Sequence, residues 1–124
     1  ETGLAEYYVG LINQYNLNFV VLIVVFALIT VILSNFMSNT ATTTILIPIA
    51  IILATDNPII FPLVIGFSAS TALFFPISTP PNAIAFSTGL IEQKEFRFGG
   101  LIAGLLGPAV VVLIILGFQM FGLI

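Results

Sequence analysis

The chain has 124 residues, of which 60% are hydrophobic and 6% charged, and its formal net charge is −3. Its mean hydropathy of +1.27 excludes an ordinary water-soluble domain. Because it has only two basic residues, nucleic-acid binding has no electrostatic basis. The absence of cysteine and histidine excludes disulfides, thiol catalysis, histidine proton transfer and the commonest zinc ligands. The composition therefore predicts an all-α protein embedded in a lipid bilayer.

The first segment, residues 1–18, is mixed in character and rich in tyrosine and asparagine. Tyrosine suits the membrane–water interface, where the ring is partly buried and the hydroxyl stays hydrated. We therefore expect an interfacial helix end followed by a loop. The segment has no signal-peptide pattern and begins with Glu1 rather than Met, so we expect the chain to be part of a longer polypeptide.

A helical hairpin is predicted over residues 19–55. An apolar run over residues 19–33 leads into the polar stretch 38–44, and a shorter apolar run over 45–53 leads out. The two helical arms would then be residues 19–36 and 41–54. At about 1.5 Å per residue, each arm is shorter than a hydrocarbon core about 30 Å thick. In lipid, a polar break is tolerated only where protein covers it or where it lines a wet cavity. The pattern favours a re-entrant hairpin, and the alternative is two short, tilted spanning helices joined by an outside loop.

A discontinuous transmembrane helix is predicted over residues 56–91. Its apolar part, residues 59–75, stops at Pro76 and is followed by the polar stretch 78–82. The two successive prolines in that stretch remove two backbone donors and hold the preceding residues extended. We expect a second half-helix to begin at Asn82, which would also cap it, and to run to about residue 90.

The only charge cluster lies in residues 92–98, which we interpret as a short amphipathic link. Residues 99–124 then predict a last transmembrane helix, in which small residues allow close packing and Pro108 introduces a kink. By the positive-inside rule, Lys94 and Arg97 place the link in the cytoplasm. This orientation puts the C-terminus outside, opens the hairpin from the outer side and suggests the cell (inner) membrane.

The apolar segments contain no ionisable side chain, so an acid, base or nucleophile pair cannot be named and an enzyme is not expected. The remaining polar groups are hydroxyls, side-chain amides and backbone groups. Such neutral, oxygen-rich sites suit a hard cation such as Na⁺ where the backbone unwinds. The N-terminus of the return arm favours an anion without a basic side chain. A co-bound cation would offset the anion's charge, and this predicts coupling between the two ligands.

These hydroxyls also have structural explanations. Threonines 42–44 are expected to bond to carbonyls of their own helix, as is common in membrane helices. Packing or back-bonding is likewise favoured over a ligand role for Ser68, Ser70 and Thr71. For residues 38–40, a purely structural turn is the alternative to a binding site.

Two motifs together carry a family resemblance. Ser38-Asn39-Thr40-Ala41-Thr42-Thr43-Thr44 is followed further along the chain by Thr79-Pro80-Pro81-Asn82-Ala83-Ile84-Ala85-Phe86. Nearly the whole chain, from about Thr2 onwards, resembles the divalent anion/sodium symporters, the di- and tricarboxylate transporters. In that family a Ser-Asn-Thr tripeptide lies at a hairpin tip and a Thr-Pro-Pro-Asn-Ala loop breaks the next helix.

The resemblance implies an elevator-type homodimer built from two inverted repeats. This chain would be the C-terminal part of the second repeat, and its partners would be the rest of the transporter, including the first-repeat hairpin. It implies that the substrate-binding residues are Ser38, Asn39, Thr40, Thr79 and Pro81. It also implies a sodium site, largely of backbone carbonyls, formed by Ser34, Met37, Asn39 and Ser78. No cofactor is expected beyond Na⁺ as the coupling ion.

The function implied by the resemblance is Na⁺-coupled transport of di- or tricarboxylates of the succinate, malate and citrate class. Two alternatives remain open at this point. One is a sodium-independent dicarboxylate exchanger of the same family, and the other is a membrane packing subunit that transports nothing. The sequence leaves the anion undetermined, with sulfate also open, because half of the implied site is absent from these residues.

Overall fold

The structure is a computed structural model that describes residues 18–53, 57–76 and 78–124. In these ranges it is all-helical, as the composition predicts. The five helices are α1 (Phe19–Phe36), α2 (Asn39–Leu53), α3 (Ile60–Ala69), α4 (Pro80–Ser87) and α5 (Gln93–Met120). The interfacial segment predicted for residues 1–18 lies outside the described residues, except for Asn18.

The first two helices are the arms of the predicted hairpin. Asn18 is the N-cap of α1, and its side chain accepts a hydrogen bond from the Val20 N–H at 3.0 Å. Helices α1 and α5 are both long and apolar enough to cross a membrane. With 18 residues, α1 rises roughly 27 Å. The 15 residues of α2 and the 10 of α3 make these apolar helices shorter.

The core lies where α1, α2 and α3 each turn one stripe of side chains inward, with a contribution from α5. Phe61 of α3 is fully buried and meets the rings of Phe19 and Phe26 edge-on, at centroid distances of 5.7 and 5.4 Å. The opposite faces expose large aliphatic side chains, such as Ile32, which is 58% exposed. An apolar exterior of this kind is expected for helices that contact lipid.

The boundaries of the later helices differ from the predicted ones. Helix α3 ends at Ala69, well before position 75, and α4 begins at Pro80 rather than at Asn82. Proline is favoured in the first turn of a helix because its missing N–H would have no partner there, and this explains the earlier start. The backbone between Ala69 and Pro80 is therefore a longer break than the sequence predicts.

The last helix also begins earlier than predicted. Residues 93–98, which we expected to form a separate link, are the first turns of α5. A capping box at Glu92 and Glu95 fixes this start, since the Glu92 N–H donates to Glu95 Oε2 at 3.2 Å.

Helix α5 passes directly behind the break. A Cβ added to Gly100 would overlap the Leu73 carbonyl and lie 2.6 Å from Phe74 Cα. One added to Gly107 would lie 2.5 Å from the side chain of Thr71. Glycine is therefore required at both positions for α5 to approach the non-helical segment this closely.

Candidate functional site

The hairpin tip is a tight connection of Met37 and Ser38 between α1 and α2. Met37 is extended, with φ −134° and ψ 172°, and its N–H donates to the Leu33 carbonyl at 3.0 Å. The Ser38 hydroxyl accepts from the Ala41 N–H at 3.1 Å, as an N-cap residue does. The sequence places Ser38 here because a serine N-cap satisfies a first-turn donor that has no partner within the helix. The N-terminus of α2 therefore lies at the tip.

Below the tip, Ser34 of α1 joins both arms to α3. Its hydroxyl is fully buried and donates to Asn39 Oδ1 at 2.5 Å. The same oxygen lies 3.3 Å from the Ala69 carbonyl, at the end of α3. Because Ser34 has only one proton, the shorter contact holds it and the Ala69 carbonyl lies beside the pair. Two residues of the predicted sodium site, Ser34 and Asn39, are thus in direct contact.

The break between α3 and α4 is shaped by hydrogen bonds of its own. The Ser78 hydroxyl accepts from the Phe75 N–H at 3.3 Å, and the Ser78 N–H donates to the Phe75 carbonyl at 3.0 Å. Thr79 is extended and its hydroxyl accepts from the Asn82 N–H at 3.4 Å. Thr79, not Asn82, is therefore the N-cap of α4.

Asn35 connects the hairpin to the break. Its side-chain NH₂ donates to the Val31 carbonyl at 2.9 Å, which holds the amide against α1. Its Oδ1 then accepts from the Phe74 N–H at 2.9 Å and lies 3.5 Å from the Ser78 hydroxyl. The residues predicted from the sequence for the two binding sites do not include Asn35. Its position directly after Ser34 could have indicated a role in the site. Its partners in the break, Phe74 and Ser78, are distant in sequence and could not be predicted from the residues around it.

The other predicted substrate residues lie at the two helix N-termini. Ser38 and Thr40 are exposed at the tip, while Thr79 is half-buried and Pro81 is exposed at the start of α4. The hydrogen bonds of the described residues do not join Ser38 or Thr40 to Thr79, so these two groups are separate faces of the candidate site.

The two helix N-termini differ in what they offer an anion. In α2, the Ser38 cap bonds to the Ala41 N–H, and it leaves the N–H groups of Asn39 and Thr40 available to a ligand. In α4, the first two residues are prolines and have no N–H, and the Asn82 N–H is bonded to Thr79. Helix α4 can therefore contribute its dipole but few backbone donors.

The hydroxyls near the site divide into bonded and unbonded groups. Thr43 and Thr44 donate to the Thr40 carbonyl at 2.9 and 2.8 Å, and this confirms back-bonding for them. Ser70 and Thr71 likewise bond to carbonyls of their own segment, at 3.3 and 2.8 Å. Thr42 is different: its Oγ1 is buried and has no hydrogen-bond partner, so the back-bonding interpretation is wrong for this residue.

Ser68 Oγ and Asn82 Nδ2 are also buried without a partner. For Ser68, the back-bonding interpretation is therefore wrong too.

The site contains no formal charge. From residue 18 to residue 91 the only ionisable side chain in the sequence is Asp56, which lies outside the described residues. A cation here would be held by hydroxyl, amide and carbonyl oxygens, and an anion by backbone N–H groups and helix dipoles. Such a site is suited to binding opposite charges together, since each offsets the other.

The comparison with known proteins decides the family. Residues 2–123 match the family described as the sodium:sulfate symporter transmembrane region. The chain belongs to this family. The resemblance to the divalent anion/sodium symporters is thereby confirmed, and the apolar α1 and α5 are those of an integral membrane protein.

Relatives from distant organisms agree. The chain is 38% identical to an uncharacterized transporter of Methanocaldococcus jannaschii over 90% of its own length and 26% of the relative's. It is 34% identical to a sodium-dependent dicarboxylate transporter of Staphylococcus saprophyticus over 77% of its length and 19% of the relative's.

A sodium-dependent low-affinity dicarboxylate transporter of Caenorhabditis elegans is 39% identical over 82% of the chain and 18% of the relative. The chain thus spans about a quarter or less of the length of these relatives. No solved structure matches it significantly.

Proposed function

We propose that this chain takes part in secondary active transport of di- or tricarboxylates coupled to Na⁺, as a part of a transporter rather than an enzyme. The observation that carries the proposal is the connection of the tip to the break. Ser34 holds Asn39 at the tip, and Asn35 holds Phe74 and Ser78 in the break. One cation bound at this junction would set the positions of both elements.

The sodium site in this proposal is formed by Ser34, Met37, Asn39 and Ser78. The direct bond between Ser34 and Asn39 supports the first part of that set. Met37 follows the last residue of α1 and its backbone is extended. Its carbonyl therefore accepts no hydrogen bond within the helix and is available to a cation. Ser78 reaches the same region through the Asn35 amide.

The substrate site in this proposal is formed by Ser38, Asn39, Thr40, Thr79 and Pro81. The free N–H groups at the start of α2 would receive a carboxylate of the substrate. Asn39 would serve both ligands, since its side chain faces Ser34 while its backbone N–H lies at the tip. The names of two relatives, both sodium-dependent dicarboxylate transporters, favour a carboxylate, whereas the family description leaves sulfate as the competing anion.

We further propose the arrangement that the family resemblance implies. The hairpin of α1 and α2 is re-entrant, with α3 and α4 as the halves of a broken helix and α5 as the last span. The start of α5 lies in the cytoplasm and its end outside, in the cell membrane. The chain works with a first-repeat hairpin in an elevator-type homodimer.

The test is uptake of radiolabelled succinate into proteoliposomes that contain the complete transporter carrying these residues. An inward Na⁺ gradient is compared with K⁺ replacement, and excess unlabelled succinate, citrate or sulfate is added as competitor. We expect Na⁺-dependent uptake that unlabelled succinate abolishes. Uptake that ignores Na⁺ but needs internal dicarboxylate would instead identify an exchanger.

Two variants make this test specific for the site. Asn39→Ala removes the side chain that Ser34 holds, and we expect it to abolish uptake. Asn18→Ala removes an exposed asparagine outside the site, where its side chain caps α1, and uptake should persist. If neither variant loses uptake, the site assignment is rejected. If the wild type takes up no succinate with either Na⁺ or K⁺, the carboxylate assignment is rejected.

A further inference from the structure

Two hydroxyls in the protein interior have no hydrogen-bond partner. Thr42 of α2 and Ser68 of α3 are both fully buried, and neither Oγ1 of Thr42 nor Oγ of Ser68 meets a donor or acceptor among the described residues. A buried polar group without a partner is unfavourable, above all in a membrane protein. Both residues therefore need an explanation that packing does not provide.

A serine or threonine hydroxyl in a helix can normally donate a hydrogen bond to a backbone carbonyl one turn earlier. Thr30, which is also fully buried, donates to the Phe26 carbonyl one turn before it at 2.6 Å. Thr43 and Thr44, the immediate neighbours of Thr42, do the same with the Thr40 carbonyl. The bond to a preceding carbonyl is thus available in these helices, and Thr42 and Ser68 do not use it.

Both residues lie on the inward stripes of their helices, at the end of the core that faces the tip. The buried stripe of α2 begins at Thr42, and that of α3 ends at Ser68 and Ala69. The contacts of Ser34 show that these two ends are close to each other. Its hydroxyl bonds to Asn39, which lies one turn before Thr42 in α2. The same hydroxyl lies beside the carbonyl of Ala69, the residue directly after Ser68. The core is therefore closed by a polar layer between α2 and α3.

The electrostatics of this layer favour a positive ligand. Helices α1 and α3 both end here, so two carboxyl ends with their partial negative charge converge on it, against the single N-terminus of α2. The neighbouring polar atoms that are fixed, Asn39 Oδ1 and the Ala69 carbonyl, are acceptors. Hydroxyl and carbonyl oxygens are the ligands that hard cations prefer.

We propose that Thr42 and Ser68 are ligands of a small hard cation of the Na⁺ class, bound one turn deeper than the tip. This cation site is distinct from the set Ser34, Met37, Asn39 and Ser78. The identity of the cation as the coupling ion rests on the proposed function, whereas the site itself rests on the two unpaired hydroxyls.

The test measures cation binding without transport. The complete transporter carrying these residues is purified without substrate, and its thermal unfolding midpoint is followed as NaCl replaces choline chloride at constant ionic strength. A ligand that binds only the folded state raises the midpoint by an amount that increases with the logarithm of its concentration relative to its dissociation constant. The variants are Thr42→Val and Ser68→Ala, with Thr43→Val and Thr44→Val as matched controls whose hydroxyls are already bonded.

We expect Thr42→Val and Ser68→Ala each to weaken the apparent Na⁺ affinity by about tenfold or more, as loss of a ligand does. In choline chloride both should unfold at the wild-type temperature or above it, since each loses an unpaired hydroxyl. The two control variants should keep the wild-type Na⁺ response. If Thr42→Val and Ser68→Ala also keep it, the proposal is overturned.

Two further measurements separate the remaining outcomes. Thr42→Ser retains the hydroxyl and should respond to Na⁺ as the wild type does; if valine weakens the response and serine does not restore it, packing is responsible and the proposal fails. If the wild type shows no response to Na⁺, the proposed coupling fails, and LiCl and KCl titrations then test the site itself. No response to any of the three cations would reject the site as well.

Discussion

Asn35 Oδ1 accepts a hydrogen bond from the backbone N–H of Phe74 at 2.9 Å, across 39 positions of the sequence. This bond fixes the non-helical segment around Phe74 against the end of the first hairpin arm. The same oxygen lies 3.5 Å from the Ser78 hydroxyl, so one amide orients two parts of the break. The first hairpin arm and the break are consequently joined through the Asn35 side chain.

The first prediction concerns this amide. Asn35→Ala removes the acceptor and leaves the Phe74 N–H without a partner, which we expect to lower the free energy of unfolding by about 1–3 kcal/mol. The apparent Na⁺ affinity should fall as well, because Ser78 loses its orientation. Thermal unfolding with and without NaCl measures both effects. Ser87→Ala is the control, since its exposed hydroxyl bonds only to the Ile84 carbonyl; an equal response in the two variants would contradict the prediction.

The second prediction separates a helix cap from a binding residue at Ser38. Aspartate is as good an N-cap as serine, so Ser38→Asp should retain the stability of α2, whereas Ser38→Ala should lose about 1 kcal/mol. A new carboxylate at the tip would repel an anionic substrate, and Ser38→Asp should therefore lose succinate uptake. Unfolding and uptake are measured on the same preparations. A stable Ser38→Asp variant with wild-type uptake would show that Ser38 is only a cap.

The third prediction concerns the close approach of α5 to the break. Gly100→Ala would place a Cβ 2.6 Å from Phe74 Cα, where backbone rather than a flexible side chain must move. We expect this to destabilise the protein by about 1–3 kcal/mol. The neighbouring Gly99→Ala meets nothing within 4 Å and should be neutral or stabilising, because alanine is the better helix former. Similar unfolding temperatures for the two variants would refute the close approach.

The fourth prediction concerns Ser34. Ser34→Ala removes the donor to Asn39, and we expect the apparent Na⁺ affinity to fall by about tenfold or more. Thr30→Val is the matched control: Thr30 is equally buried on the same helix, but its hydroxyl bonds only to the Phe26 carbonyl. A Na⁺ titration of uptake or of thermal stability measures the difference. If Thr30→Val weakens Na⁺ binding as much as Ser34→Ala, the effect is one of core packing.

The sequence by itself determined the class of protein, the positions of the two polar interruptions and the family. These follow from hydropathy and from short motifs, which are properties of neighbouring residues, and a membrane restricts the possible structures so strongly that they are sufficient. It also predicted the helical arms that the structure places at Phe19–Phe36 and Asn39–Leu53. The predicted start of the second half-helix at Asn82 is wrong, since α4 begins at Pro80.

Only the tertiary structure decided which polar groups meet. Nothing local distinguishes Thr42 from Thr43 and Thr44, yet the first is buried and unpaired while the others bond to Thr40. The role of Asn35 depends on Phe74, and that of Gly100 on Leu73, which are partners on different helices or in the break. Hydrogen-bond satisfaction and close contact are set by the packing of segments distant in sequence, so no pattern within one segment can reveal them.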